Sequence, residues 1–202
     1  MKILFFIIFF MFACVAKSQD ILTYFKDFPY KQPTTILRDM PNNRLLVDNK
    51  HHFLNVENIS DMVYEQSFTY FEKANSEKVF AYRYYEHGGK DFESVYQTDF
   101  YALEKNKWIS LPINKTINYK EFWADEQKEM PPVNYLEKIA IDIVLQTHKH
   151  KIIHVYLRKQ PLTKEDALDN TLLDKYYKSF KYKQIHLKWN AEMGSFEIEK
   201  KF

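Results

Sequence analysis

Histidine is the first residue type in this 202-residue sequence that could do chemistry, because three of its seven histidines fall close together. His148 and His150 are two apart, hence on one side of an extended chain, and His154 lies on the strand that follows. A zinc ion requires three or four ligands at about 2.0–2.3 Å in near-tetrahedral geometry. Two histidines in a turn that also carries Lys149 and Lys151 do not supply that set, and the neighbouring ammonium groups oppose a bound cation. His51, His52, His87 and His186 are scattered, and neither an HExxH motif nor an Asp-rich calcium loop occurs. The histidines therefore read as solvated turn residues, and no metal or other cofactor is assigned.

Carboxylates come next. Asp91 and Glu93 would share a strand face, with Asp99 further along it. Glycoside hydrolysis needs two carboxylates about 5–5.5 Å or 6.5–9.5 Å apart across a cleft, and neighbours on a strand can meet that spacing. Among 27 acidic residues such pairs arise by chance, so surface carboxylates are the simpler reading. No serine sits in a GxSxG elbow, and three glycines leave little material for backbone oxyanion loops. His154 or His186 could act as a base, but nothing supplies its nucleophile. The sequence leans against an enzyme, with a small hydrolase using a carboxylate or histidine site as an alternative.

Aromatic residues are in excess: 17 Phe, 15 Tyr and three Trp. Tyrosine offers flat amphipathic contact at modest entropy cost, which recognition surfaces exploit. Tyr82, Tyr84 and Tyr101, with Tyr85 and Tyr96, fall on adjacent strands and define an expected binding face for a glycan or a protein surface. Core packing is the competing reading, since sheets favour aromatic residues and tyrosine can bury its ring while its hydroxyl reaches water.

The N-terminus carries an address. Lys2 precedes an unbroken apolar run from Ile3 to Ala13, and Ala16-Lys17-Ser18 places small residues at −3 and −1 of a cleavage site before Gln19. This is the layout of a secretory signal peptide, and the run is too short for the ~20 residues a membrane-spanning helix needs. Residues 1–18 are thus expected to be a signal and 19–202 a single domain, secreted or periplasmic. Cys14, at the end of the apolar run, is where a bacterial lipoprotein would carry its lipid, although Met11 and Phe12 fit a lipobox poorly. It is also the only cysteine, which excludes an intramolecular disulfide framework. Removing Lys2 and Lys17 from the 29 basic residues leaves them balanced against the 27 acidic ones. Such a chain has no general attraction for phosphate backbones, so no nucleic-acid partner is expected. Asn58-Ile-Ser60 and Asn114-Lys-Thr116 are glycosylation sequons only in a eukaryotic secretory route.

These residues need a scaffold. Pro29, Pro33, Pro41 and Asn42-Asn43 punctuate residues 20–60, which read as an irregular arm wrapped over the core, with a short helix over 54–64. Residues 78–112 read as a three-stranded meander whose first turn is Gly88-Gly89, a pair suited to positive φ. On its first strand Phe80, Tyr82 and Tyr84 share one face, and Val79, Ala81, Arg83 and Tyr85 the other; Arg83 marks its face as partly wet. A short helix is expected over 119–128, stopped by Pro131-Pro132. Alternation through Ile139, Ile141, Ile143 and Leu145 favours a strand paired with 151–159. A helix capped by Thr163, with Asp166 at N3, should bury Leu168, Leu172, Tyr176 and Phe180. A closing hairpin should bury Ile185, Leu187 and Trp189 against Phe196 and Ile198.

The fold class expected is α+β, a predominantly antiparallel sheet with an irregular N-terminal arm and one late amphipathic helix packed on a sheet face. The function expected is an exported, non-catalytic binding or accessory module. A structural or assembly component of the cell envelope is the other alternative.

Overall fold

The computed structural model describes residues 20–29, 43–59, 63–87, 93–113, 117–123, 129–145, 152–163, 166 and 168–202. The segment 1–18 expected to be a signal, with Cys14, the Gly88-Gly89 pair, Asp91, His148, His150 and the Asn114 sequon lie outside them.

The fold is α+β and dominated by antiparallel strands. Helix α1 (Ile21–Asp27) is followed by β1 (Asn43–Asp48), β2 (Phe53–Ile59), β3 (Val63–Glu72), β4 (Lys78–Glu86), β5 (Val95–Glu104) and β6 (Lys107–Leu111). These six strands form one sheet in sequence order. After a 3-10 turn at Tyr119–Glu121 and the short helix α2 (Val133–Leu136), strands β7 (Ile139–Val144) and β8 (Ile152–Lys159), helix α3 (Asn170–Ser179), β9 (Gln184–Asn190) and β10 (Ser195–Lys201) follow. The second sheet has the order β10-β9-β8-β7. Among the described residues no helix is long and apolar enough to cross a membrane.

Two cores lie on opposite faces of the six-stranded sheet. The inner one fills the space between the sheets, with Phe71, Val79, Ala81 and Phe100 facing Ile139, Ile153, Val155, Ile185, Leu187 and Trp189. Period-2 alternation on β4 sends its other set outward, where Leu54, Val56, Phe68, Phe80, Tyr82 and Tyr101 pack against Ile21, Phe25 and Phe28 of the α1 segment. Spacing of i and i+4 puts Ile21 and Phe25 on one helix face, and the Asp20 carboxylate caps the helix by accepting the Leu22 N–H at 3.1 Å.

Several expectations are refined. The segment 20–60 is not an irregular arm throughout: it contains α1, β1 and β2. Residues 54–59 are strand and not helix, because β2 pairs with β1 and β3 over its whole length. The meander over 78–112 is present, but Glu86 pairs with Val95, so its first connection is longer than a two-residue turn. The β7–β8 hairpin forms as the alternation implied. In place of a helix over 119–128 there is a single 3-10 turn at Tyr119–Glu121, with 124–128 outside the described residues.

The late helix begins at Asn170, not after Thr163. Thr163 and Asp166 do bond, the Asp166 carboxylate accepting the Thr163 N–H at 2.6 Å and hydroxyl at 3.0 Å. Lys138 also holds Asp166, and Asp169 supplies the true cap, accepting from the Thr171 and Leu172 N–H groups. The buried stripe keeps Phe180 but takes Leu173 in place of Leu172. Leu173 and Phe180 are buried and the Tyr177 hydroxyl donates to the Leu157 carbonyl at 3.0 Å, whereas Leu172 is exposed.

Candidate functional site

Tyr82, Tyr84 and Tyr101 do share one face of the first sheet, and that face is the one α1 covers. Phe28 lies 5.1 Å from the Tyr82 ring and 5.0 Å from the Tyr101 ring, and the Tyr82 hydroxyl donates to Gln66 Oε1 at 2.8 Å. Tyr82 and Tyr101 are therefore core rings and not an exposed patch. Tyr84 is half-buried and donates to the Glu86 carboxylate at 2.7 Å. Burial, then the Glu86 carboxylate, raise its phenol pKa. The helix that hides these rings is too short and too close to Pro29 to announce itself by periodicity.

Where α1 ends, it leaves a cleft of about 680 Å³ between its C-terminus and the β5–β6 hairpin. Tyr24, Leu103 and Trp108 line it, with Pro29, and Asp27, Asn106 and Lys107 stand at its rim. One side of the Trp108 indole packs edge-on against Phe28 at 5.0 Å and Phe80 at 4.8 Å, which fixes its position. The turn that presents Asn106 and Lys107 is tight: Glu104 pairs with Lys107, and both residues between, Lys105 and Asn106, have positive φ of 48° and 63°. That conformation suits glycine or asparagine and is strained for lysine.

A second cluster joins the two sheets. Arg83 is buried, against the expectation that it would wet its face. Its guanidinium donates to Asp142 Oδ1 from Nη2 at 3.1 Å and pairs with Glu65 Oε2 through Nη1 at 3.2 Å. Arg158 reaches the other Asp142 oxygen at 3.3 Å. Here each charge has an opposite partner, as a buried ion requires, although Arg83 Nη1 is buried near Glu65 without a hydrogen bond of its own among the described residues. The cluster is a clamp between β4 and β7.

Histidines meet where sequence distance had hidden them. His154 on β8 lies directly opposite His186 on β9, and the rings stack at 4.0 Å with an interplanar angle of 20°. Gln184 Nε2 stands 2.8 Å from His186 Nε2 and 3.3 Å from His154 Nδ1 and the Tyr156 hydroxyl. Parallel stacking keeps the two sets of in-plane lone pairs from converging on one point. Among the described residues no three His, Cys, Asp or Glu side chains gather to hold a metal ion.

Of the carboxylates considered for hydrolysis, Asp91 lies outside the described residues and Glu93 and Asp99 have separate partners. Glu93 precedes β5 and pairs with Lys138, so it does not share a strand face with Asp99. Asp99 lies on β5 and accepts a bond from Gln97 Nε2 at 2.6 Å.

The sequence matches no family model, and no curated protein matches it. The fold does have a likeness among solved structures, a domain of an uncharacterized protein from Porphyromonas gingivalis W83. The TM-score is 0.52 at 11% identity, over 78% of this chain and 74% of that one. At that identity the similarity is one of fold alone.

Proposed function

We propose that this chain is an exported binding or accessory module that acts without covalent chemistry, and that its ligand site is the cleft beside α1. The observation that carries the reading is the cleft's lining: two aromatic side chains, Tyr24 and Trp108, with a carboxylate, an amide and an ammonium at the rim. A concave, partly apolar site of about 300–1,000 Å³ with few placed polar groups is the usual form of a small-ligand site. Tyr82 and Tyr101 support this site from below instead of forming it, since Phe28 rests on Tyr82, Tyr101 and Trp108 at once, while Tyr84 is bonded to Glu86.

Export rests on Lys2, the apolar run Ile3–Ala13 and the Ala16-Lys17-Ser18 site. Cleavage there leaves Asp20, the cap of α1, intact as the second residue of the mature chain. N-terminal sequencing of protein from the extracytoplasmic fraction should begin at or near Gln19. A lipid on Cys14 would replace the secreted form with an anchored one, and an intact Met1 on cytoplasmic protein would defeat export altogether.

The binding reading is tested by amide and indole chemical-shift mapping of the mature protein against a pool of soluble cell-surface glycans. Shifts should concentrate on Tyr24, Asp27 and Lys105–Trp108. Shifts confined to β1 would instead favour the assembly alternative, because Leu45 and Leu46 stand half-exposed on that end strand and a sheet edge invites pairing with another chain.

A further inference from the structure

Resting on the reading of the cleft as a ligand site, we infer that its ligand is an uncharged saccharide, with one sugar ring laid against Trp108 and its hydroxyls held by Asp27 and Asn106. A sugar ring has an apolar C–H face and a rim of hydroxyls that both donate and accept. An indole already fixed by packing that lines a cleft offers a matching apolar surface at little further cost in entropy. Trp108 is held in this way by Phe28 and Phe80.

The rim completes the match. Asp27 supplies two acceptor oxygens, Asn106 one acceptor and two donors, and Lys107 three donors. Among the described residues that line the cleft Asp27 and Lys107 balance, so these side chains offer no surplus charge to recruit a sulfated or uronic sugar or an amino sugar. Anionic ligands are usually met by an excess of arginine and lysine.

One feature of the rim works against stability. Asp27 is the last residue of α1, where the helix macrodipole disfavours a carboxylate. Asn106, by contrast, is placed by the two-residue β5–β6 hairpin turn, whose consecutive positive φ angles asparagine suits. Asp27 and Asn106 thus bring hydrogen-bonding side chains to the same cleft.

The test titrates the mature protein with neutral gluco-, manno- and xylo-oligosaccharides, and in parallel with oligogalacturonate and sulfated chondroitin oligosaccharides. Calorimetry gives affinity and tryptophan fluorescence reports the Trp108 environment. Asp27→Asn and Asn106→Gly are the informative variants. The first relieves the helix end, and the second suits the positive φ, so both should fold with thermal midpoints unchanged or raised.

At least one neutral oligosaccharide should bind, the acidic ones about tenfold or more weakly, and each variant should lose about tenfold or more of the neutral affinity, as expected for a lost hydrogen bond to a charged or well-placed group. Failure of every neutral oligosaccharide at millimolar concentration, tighter binding of the acidic ones, or variants that bind as the parent does would each overturn the inference. An acidic sugar bound with shifts on the same cleft residues would leave the binding module standing and refute only the ligand class. Cleft residues unmoved by any ligand would remove both.

Discussion

Replacing Asp142 with alanine is expected to cost the protein about 3–5 kcal/mol, a large share of the roughly 5–15 kcal/mol that folded domains possess. The carboxylate is almost wholly buried and takes Arg83 on one oxygen and Arg158 on the other. Arg158 is half-exposed and can turn to water. Arg83 cannot, because its side chain is buried and Glu65 alone would remain to it. The loss is therefore dominated by a guanidinium left in a low-dielectric site with half its partners gone. Urea unfolding of Asp142→Ala should show a lower midpoint at unchanged slope. The double variant Arg83→Met/Asp142→Leu should recover much of the loss, since well-packed apolar replacements of buried ion pairs are often neutral or stabilising. A loss under about 1 kcal/mol for Asp142→Ala would show that water reaches Arg83 and that the clamp is a surface pair.

Trp189→Ala should be similarly severe, at about 3–5 kcal/mol. The ring is nearly buried and packs on Phe71 at 5.4 Å and Phe196 at 5.0 Å, bridging the inner faces of both sheets. Its indole N–H donates to the Glu72 carbonyl at 2.8 Å, so truncation also orphans an acceptor in β3. Trp189→Phe, which fills most of the volume but lacks the donor, should retain more stability than alanine. Equal losses from both variants would assign the effect to the hydrogen bond instead of the packing. Phe196→Ala should cost less than Trp189→Ala because Phe196 is only partly buried, and Ile198→Ala should be nearly silent. Ile198, expected to be a core partner of Trp189, is 43% exposed. It pairs with Leu187 at the point where the β10 register breaks before Lys200.

Strand β4 was readable from its run of aromatic and β-branched residues, β7 from Ile139, Ile141 and Ile143 at every second position, and β9 from Ile185, Leu187 and Trp189 alternating with His186 and Lys188. The strand over 53–59 was hidden by chemistry, not by weakness of signal. On its polar side Asn55 takes part in a ladder with Glu57 and Ser67, and a strand punctuated by Asn and Glu resembles a capped helix start. Arg83 misled for a related reason. An arginine among apolar neighbours reads as a wet face unless its acid is visible, and Asp142 lies far away in sequence. The cleft was least legible of all, since Asp27 and Trp108 are brought together only when α1 docks across the whole meander. Tyr84 and Tyr101 drew attention as tyrosines, while among the described residues the aromatic groups that line the cleft beside α1 are Tyr24 and Trp108.

The two sheets have one more property in common: each is contiguous in the chain, residues 43–111 building one and 139–201 the other. Among the described residues every ladder bond is made between strands that are neighbours in sequence, and no strand of either sheet crosses into the other. During synthesis the first half can thus complete its backbone pairing before the second half has emerged, and the side chains between them close last. Cutting the connection between Leu111 and Ile139 would sever no strand of either sheet. It would turn the interior, with Arg83 on one piece and Asp142 on the other, into an interface between two fragments that recognise each other through the contacts that formerly made them one.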